Sequence, residues 1–191
     1  MRYCVKGILP AMVTPLSDDG TIKKDGAVKL IKRHIQGGAD GLYVCGSTGE
    51  GVVLQKNTRM DMCELVIGEV KKAVPVIVHV GAIDLKTAIE LARHAEKSGA
   101  DAIASVPPFY YPYDNNSIYN YYKELASAVN IPVMIYYAPL GNTMLSAKLI
   151  VRVFKDFDNV TSIKWSISNY CDLINVKDMT NGEINILNGP D

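Results

Sequence analysis

The stretch GADGLYVC, residues 38–45, ends a helical pattern and opens an apolar run, and a similar stretch returns as GADAIASV, residues 99–106. A second pair, PVIV at residues 75–78 and PVMI at residues 132–135, repeats at nearly the same interval. Each repeat therefore contains two strand-and-helix units with the same loop chemistry at the same place. Such even spacing is expected of a barrel built from equivalent units, whereas a doubly wound sheet does not require it.

The whole chain alternates apolar runs of strand length with amphipathic stretches of helix length. The predicted strands are Gly7–Thr14, Gly41–Cys45, Val76–Val80, Ala102–Val106, Val133–Tyr137, Val160–Lys164 and Ile184–Leu187. The predicted helices are Asp25–Gln36, Thr58–Ala73, Lys86–Ser98, Ser117–Ala128, Ser146–Phe154 and Tyr170–Met179. Because the strands are nearly continuous apolar runs, both faces of a parallel sheet are expected to be covered. We predict an α/β protein with a (β/α)8 TIM barrel, and a Rossmann-like sheet is the alternative.

The length of the chain bears on this fold. A barrel of this type takes about 250 residues, and the sequence has 191. The prediction is a single barrel domain over residues 1–191 that ends just after the seventh strand, with its C-terminal part missing. An open barrel would leave two unpaired apolar edges, which favours a longer natural chain.

Composition excludes several classes of function. The 20 basic and 20 acidic residues give a net charge of zero, which is not typical of a nucleic-acid-binding surface or an acidic disordered tail. No apolar run approaches the length of a membrane span, and residues 1–10 lack the pattern of a signal peptide. The four cysteines lie far apart and the three histidines lack ligand spacing, so neither a disulfide framework nor a metal site is predicted. We expect a cytoplasmic protein that acts on small molecules.

Active sites of such barrels lie at the carboxyl ends of the strands. After the second predicted strand stands GSTGE, residues 46–50, where two glycines flank the hydroxyls of Ser47 and Thr48. Backbone N–H groups of such a turn, together with the two hydroxyls, can bind a carboxylate or a phosphate. An ordinary turn that caps the next helix is an equally good interpretation of the spacing alone.

A lysine closes the sixth predicted strand. Lys164 lies in IKWS, residues 163–166, and Ser166 beside it is a candidate substrate-binding hydroxyl. A lysine that faces the interior of a barrel loses hydration, and its neutral amine is a nucleophile that forms a Schiff base with a carbonyl carbon. The alternative is a lysine whose ammonium reaches solvent past the end of the strand.

Tyrosines supply the remaining chemistry at these strand ends. The segment PPFYYPY, residues 107–113, predicts a rigid loop for packing or for an oligomer interface. Tyr136 and Tyr137 end the fifth predicted strand, and because side chains alternate, one of them points into the barrel. An amine for the ketone, a nest for the adjacent carboxylate and a phenol for proton transfer together indicate a site for a 2-oxo acid.

These motifs resemble the dihydrodipicolinate synthase/N-acetylneuraminate lyase family of class I aldolases. The resemblance extends over the whole chain through GILPAMVTPLSDDGTI, ADGLYVCGSTGE, VPPFYYPY, IYYAP, IKWS and NGPD. It implies a (β/α)8 barrel, usually assembled as a tetramer, that needs no metal or organic cofactor. Lys164 resembles the lysine that forms a Schiff base with pyruvate, and Tyr136 resembles the tyrosine that relays protons.

The resemblance also implies roles for other residues. Ser47 and Thr48 resemble the pair that holds the pyruvate carboxylate, and Tyr110 resembles the tyrosine lent to a neighbouring subunit's site. Gly189 and Asp191 resemble positions that contact the hydroxylated tail of the sugar acid in lyases. These implied partners are pyruvate and an aldehyde or sugar acid, with neither nucleic acid nor membrane.

Two features favour the N-acetylneuraminate lyase branch, which splits its substrate into pyruvate and N-acetylmannosamine. Synthases of the family carry GTTGE and an arginine five residues after the catalytic tyrosine, where this chain has GSTGE and Gly141. Departures from the lyase pattern at Tyr137, Trp165 and Pro190 leave the aldehyde open. The alternatives are a dihydrodipicolinate synthase, another 2-keto-3-deoxy-sugar-acid aldolase, or a truncated protein that binds a 2-oxo acid without turnover.

Overall fold

A computed structural model describes residues 4–138 and 143–189, and its strands form one curled parallel sheet. The strands are β1 Leu42–Val44, β2 Val76–His79, β3 Ala102–Ser105, β4 Val133–Tyr137, β5 Val160–Trp165 and β6 Asn185–Asn188. They lie side by side in chain order, and every neighbouring pair is parallel. This half-barrel confirms the predicted α/β alternation and corresponds to part of a TIM barrel.

Helices separate the strands and pack against one side of the sheet. They are α1 Lys24–Gln36, α2 Lys56–Val70, α3 Leu85–Ser98, α4 Asn115–Ser127, α5 Ala147–Asp156 and α6 Tyr170–Met179. Four of them begin at a residue whose side chain accepts a hydrogen bond from the first turn, which satisfies an otherwise unpaired N–H group. These capping residues are Asp84, Asp114, Ser146 and Asn169. Helix bounds agree with the sequence prediction to within three residues.

The prediction of a strand over Gly7–Thr14 was wrong. In this segment only Ala11 forms a bridge, with Tyr43, and Tyr43 also donates to the Pro10 carbonyl oxygen. Pro10 has no N–H to donate to a ladder, and the Thr14 hydroxyl bonds the Gly49 carbonyl oxygen instead of continuing along the sheet. The segment is therefore extended and lies beside β1 without becoming a strand.

Alternate positions of the strands divide the apolar core into two clusters. The outer cluster joins the strands to the helices. The inner cluster contains no helical residue and includes Tyr43, Ile77, Ala104, Met134 and Tyr136 on the other face of the sheet. Each buried strand therefore presents one set of side chains to the helices and another to the inside of the curve, where the site lies.

The repeated GAD stretches have the same structural role. The Asp40 carboxylate accepts from the Ile8 N–H at 2.8 Å, and the Asp101 carboxylate accepts from the Val76 N–H at 2.9 Å. In both cases the aspartate that precedes one strand fixes the start of the neighbouring extended segment. Within residues 4–138 and 143–189, no helix is long and apolar enough to cross a membrane.

Candidate active site

Lys164 and Tyr136 lie side by side on the inner face of the sheet. The register of β4 and β5 pairs these two residues. The Lys164 Nζ atom lies 4.4 Å from the centre of the Tyr136 ring and 4.2 Å from the centre of the Tyr43 ring. The lysine is half-buried, so its amine is enclosed by aromatic carbon yet open to a small molecule.

Ser47, in the loop between β1 and α2, lies next to Tyr136. Its hydroxyl lies 3.4 Å from the Tyr136 hydroxyl, and either oxygen can donate. The loop is closed by hydrogen bonds from the Glu50 N–H to the Ser47 carbonyl oxygen and from the Gly51 N–H to the Gly46 carbonyl oxygen, both 3.0 Å. Ser47 and Thr48 are exposed at its tip, and within the described ranges no protein acceptor takes their N–H groups. Those groups are therefore free to bind an anion.

His79 supports Tyr136 from β2. Its ring meets the Tyr136 ring edge-on, with 5.7 Å between centroids. The Nδ1 atom faces the Cys45 carbonyl oxygen at 3.1 Å, while Nε2 accepts from the Val106 N–H at 3.4 Å, which assigns the proton to Nδ1. Burial, followed by the nearby charge of Arg59, lowers the pKa of His79 from 6.5 to about 3. A neutral imidazole is thus part of the wall of the site.

This buried imidazole predicts a loss of stability in acid. An unfolded chain takes up the histidine proton near pH 6.5, whereas the folded chain takes it up only near pH 3. The contribution is therefore full above pH 6.5 and declines as the pH falls toward 3, by up to about 1.4 kcal/mol per pH unit. Urea unfolding of the wild type and of His79→Gln at pH 7 and pH 5 measures it. We expect the wild type to lose more stability than the variant, and equal losses would contradict the assignment.

Ser166 and Gly189 meet at the carboxyl ends of β5 and β6. The Ser166 N–H donates to the Tyr137 carbonyl oxygen at 2.8 Å, and the Gly189 N–H donates to the Trp165 carbonyl oxygen at 2.7 Å. A Cβ at position 189 would lie 1.8 Å from the Ser166 Oγ atom, so only glycine allows this approach. The predicted site residue Asp191 lies outside the described residues.

Tyr110 does not join the group in this chain. Its side chain is 70% exposed and contacts Tyr111 edge-on, with 4.8 Å between ring centroids. Its φ of +84° is a conformation that a non-glycine residue adopts at a cost of about 1–3 kcal/mol. A strained, exposed tyrosine is consistent with a side chain that contacts another molecule. The role of Tyr110 in a neighbouring subunit's site stays a prediction.

Two residues around the site, Tyr43 and Arg59, were not predicted from the sequence. Tyr43 lies on the inner face of β1, and Arg59 lies on α2 with an exposed fraction of only 4%. Arg59 donates to the carbonyl oxygens of His79 at 2.7 Å and Gly81 at 3.0 Å, and so fixes the end of β2. Its helical spacing from Met62 and Val66, both buried, was the signal that it faces inward.

The chain matches a known protein family over nearly its whole length. A model of the dihydrodipicolinate synthetase family matches residues 4–191. The chain belongs to that family. Among the part of the chain that the structure describes, no cluster of three histidine, cysteine or acidic side chains is arranged to hold a metal ion.

Relatives within the dihydrodipicolinate synthetase family carry different names. A 4-hydroxy-tetrahydrodipicolinate synthase from Sulfurihydrogenibium sp. is 36% identical over 97% of this chain and 63% of its own length. CdNal from Clostridium difficile, solved with mannosamine, is 31% identical with a TM-score of 0.94 and covers 99% of this chain and 65% of its own. YagE from E. coli K12, solved with pyruvate, is 30% identical with a TM-score of 0.92, over 96% of this chain and 63% of its own. The chain spans less than two thirds of each of them.

Proposed function

We propose that the chain carries the pyruvate-binding half of a class I aldolase built on a (β/α)8 barrel. The observation that carries this proposal is the lysine amine at a strand end, with the Tyr136 phenol beside it and the Ser47 hydroxyl 3.4 Å from that phenol. An amine alone could serve many purposes. An amine next to a proton-transfer group and an anion-binding loop suits a 2-oxo acid.

Imine formation is the first step. The Lys164 Nζ atom attacks the C2 ketone of the 2-oxo acid, and the carbinolamine loses its oxygen as water to leave an iminium ion. The adjacent carboxylate binds to the N–H groups and hydroxyls of Ser47 and Thr48, which orients C2 toward the amine. We propose that the Ser166 hydroxyl, at the end of β5, donates to the same substrate.

Cleavage of the C3–C4 bond follows in a sugar acid. The bonding electron pair moves into the iminium ion to form an enamine, and the C4 hydroxyl becomes the aldehyde as its proton passes to the Tyr136 oxygen. The phenol accepts this proton while it passes its own to the Ser47 hydroxyl, and that hydroxyl passes its proton to the bound substrate carboxylate. The same relay in reverse supplies the proton for C3. A proton is then returned to C3 of the enamine, and water hydrolyses the iminium ion to release pyruvate and the free lysine. No metal or organic cofactor takes part in this sequence.

The substrate we favour is a 2-oxo-sugar acid such as N-acetylneuraminate, cleaved to pyruvate and N-acetylmannosamine. The residues between Ala138 and Met144 include no arginine, so no guanidinium is supplied there to bind a second carboxylate in bidentate fashion. The likeness to CdNal, which was solved with mannosamine, supports the same choice. Synthesis of a dihydrodipicolinate precursor is the second candidate, and the name of the Sulfurihydrogenibium relative favours it.

Two assays on the protein as the cell makes it separate these candidates. The first measures pyruvate release from N-acetylneuraminate, and the second measures pyruvate consumption with aspartate semialdehyde. We expect kcat/KM for the sugar acid to exceed that for the semialdehyde by at least tenfold. The reverse order would assign the chain to the synthases. Imine formation with neither turnover would favour another 2-keto-3-deoxy-sugar-acid aldolase or a 2-oxo-acid-binding protein, which cleavage of shorter 2-oxo-sugar acids then separates.

We also propose that subunits associate, as a homotetramer, with Tyr110 reaching the site of a neighbour. Mixing subunits tests this directly. Lys164→Met subunits keep their own Tyr110, and Tyr110→Phe subunits keep their own Lys164, so a mixed oligomer contains sites with both groups. We expect each variant alone to lose at least tenfold in cleavage and the mixture, after dissociation and reassembly, to recover part of it. No recovery in a mixture shown to have reassembled would place Tyr110 outside the site.

Substrate length provides a prediction for Asp191. If its carboxylate accepts hydrogen bonds from the polyol tail, Asp191→Asn weakens cleavage of long sugar acids by about ten- to a hundred-fold in kcat/KM and leaves imine formation nearly unchanged. The measurement is the ratio of kcat/KM for a long and a short 2-oxo-sugar acid in the wild type and the variant. If Asp191 only caps a following helix, the ratio stays constant and stability falls slightly.

A further inference from the structure

The ring of Tyr43 contacts both Lys164, the proposed nucleophile, and Tyr136, the proposed proton-transfer group. It is 3% exposed on β1, and the Lys164 Nζ atom lies 4.2 Å from the centre of its ring. The same ring meets the Tyr136 ring edge-on, with 6.0 Å between centroids. Gly46 packs closely on it, because a Cβ at that position would lie 2.6 Å from the Tyr43 Cε1 atom. The Tyr43 ring is therefore fixed on several sides.

The side chain of Lys164 is less tightly packed than the Tyr43 ring. A cavity of about 60 Å³ borders Lys164 and is also lined by Leu9, Tyr43, Met134 and Leu187. The lysine side chain has several rotatable bonds, and this space allows its end to move away from the strand mouth. An aromatic face attracts an ammonium group with about 0.5–2 kcal/mol, more when water is excluded. Contact with the rings of Tyr43 and Tyr136 is thus what favours one position of the Nζ atom, and the Tyr43 ring is the nearer of the two.

The hydroxyl of Tyr43 does not account for this position. Within residues 4–138 and 143–189 it is buried without a hydrogen-bond partner. Burial, followed by the proximity of Tyr136, raises the pKa of Tyr43 well above its ordinary value of 10.0, so the phenol stays neutral and adds no charge. What reaches Lys164 is the face of the ring.

We propose that Tyr43 is a positioning residue whose ring face holds the Lys164 Nζ atom at the mouth of the site, ready to attack a ketone. This inference rests on the proposed function of Lys164. The other titratable groups that face the lysine are Tyr136 on β4 and the imidazole of His79 on β2. Both remain in place when only Tyr43 is changed.

Two substitutions separate the ring from the hydroxyl. Tyr43→Phe keeps the ring, and we expect its rate of imine formation with pyruvate to stay within about threefold of the wild type. Tyr43→Leu removes the ring, and we expect that rate to fall at least about tenfold, since small misplacement of a reacting group is costly. A Phe variant as slow as the Leu variant would overturn the proposal, because the hydroxyl would then be responsible.

A series of fluorinated rings at position 43 keeps the shape of the side chain. It tests the contact between the ring face and Lys164 even if Tyr43→Leu fails to fold. Mono-, di- and trifluorophenylalanine at position 43 weaken the attraction of the ring face for a cation stepwise. The readout is the distance from the Lys164 Nζ atom to the centre of the ring at position 43, which is 4.2 Å in the wild type, in crystal structures of the series. We expect this distance to lengthen with each fluorine, because the ring face attracts the ammonium group less strongly.

Phe154 on α5, buried in the outer cluster, is the matched control position for trifluorophenylalanine, and there we expect no change in the distance from the Lys164 Nζ atom to the Tyr43 ring. An unchanged distance across the series at position 43, or an equal change with trifluorophenylalanine at position 154, would overturn the proposal. Because these structures need no pyruvate, the series remains informative if the wild type forms no imine. In that case the proposed function fails, while the contact between Tyr43 and Lys164 is judged separately.

Discussion

Replacing Lys164 with methionine is expected to lower cleavage of the 2-oxo-sugar acid by about 10⁴–10⁶-fold, the scale of losing a covalent nucleophile. Methionine keeps most of the side-chain length and can pack between the rings of Tyr43 and Tyr136, so the fold is retained. Without the amine no iminium ion forms, and the electrons of the C3–C4 bond have no acceptor. The measurement is the rate of pyruvate release, with far-UV circular dichroism to show that the variant is folded.

Lys148→Met is the matched control for this loss. Lys148 is exposed on α5, and its replacement removes the same charge without touching the site. We expect the control to retain wild-type activity within about twofold. If Lys164→Met also retained activity within tenfold, the lysine could not be the nucleophile and the account of the site would fail.

The second large effect is expected for Tyr136→Phe. Removal of one hydroxyl leaves the ring against Lys164 and His79 but removes the acceptor for the C4 proton. General acid–base groups contribute about 10²–10⁴-fold, so kcat for cleavage should fall by that amount. Imine formation with pyruvate should fall much less, because the C4 proton plays no part in it. Comparing borohydride trapping with steady-state cleavage measures the difference.

The neighbouring tyrosine is an unusually close control. Tyr137 follows Tyr136 on β4, but it belongs to the outer cluster, and its hydroxyl faces the Met144 sulfur atom at 3.8 Å. Tyr137→Phe therefore makes the same chemical change one residue away on the other face of the sheet. We expect it to stay within about threefold of the wild type. Equal losses from the two substitutions would show that the hydroxyl of Tyr136 has no special role.

Much of the fold could be predicted because its repeats have a local cause. The carboxylates of Asp40 and Asp101 each bind an N–H group of the neighbouring extended segment, so the same short stretch recurs wherever that connection recurs. Apolar runs marked the strands β1 to β5 because both of their faces are covered, and a shorter apolar run marked β6, whose residues are only partly buried. The segment over Gly7–Thr14 has the apolar composition of a strand, but pairing depends on N–H donors, and Pro10 within it has none.

The site was predictable in its residue types and less so in its geometry. Strand alternation shows only that Tyr136 and Tyr137 face opposite sides of the sheet, and the family resemblance alone pointed to Tyr136 as the inward one. The register of β4 on β5 decides it by pairing Tyr136 with Lys164. Tyr43 was missed because a tyrosine inside an apolar strand looks like ordinary core until the strands curl and bring it over the lysine.

Two departures from the lyase pattern prove to be one physical feature. Tyr137 and Trp165 are register partners on β4 and β5, and their rings meet edge-on with 5.1 Å between centroids. Both lie in the outer cluster, away from the Lys164 amine. In the sequence they were two separate differences near the catalytic tyrosine and the lysine. In the fold they pack against each other behind the sheet, so they leave the proposed pyruvate end unchanged.

A covalent trap tests directly whether Lys164 forms an imine. The protein as the cell makes it is incubated with pyruvate and borohydride, digested, and mapped by mass spectrometry, with Lys164→Met treated in parallel. We expect one reduced pyruvate adduct, on the peptide that contains Lys164, and none in the variant. An unmodified Lys164 peptide in the wild type, or an adduct on a different lysine, would contradict it.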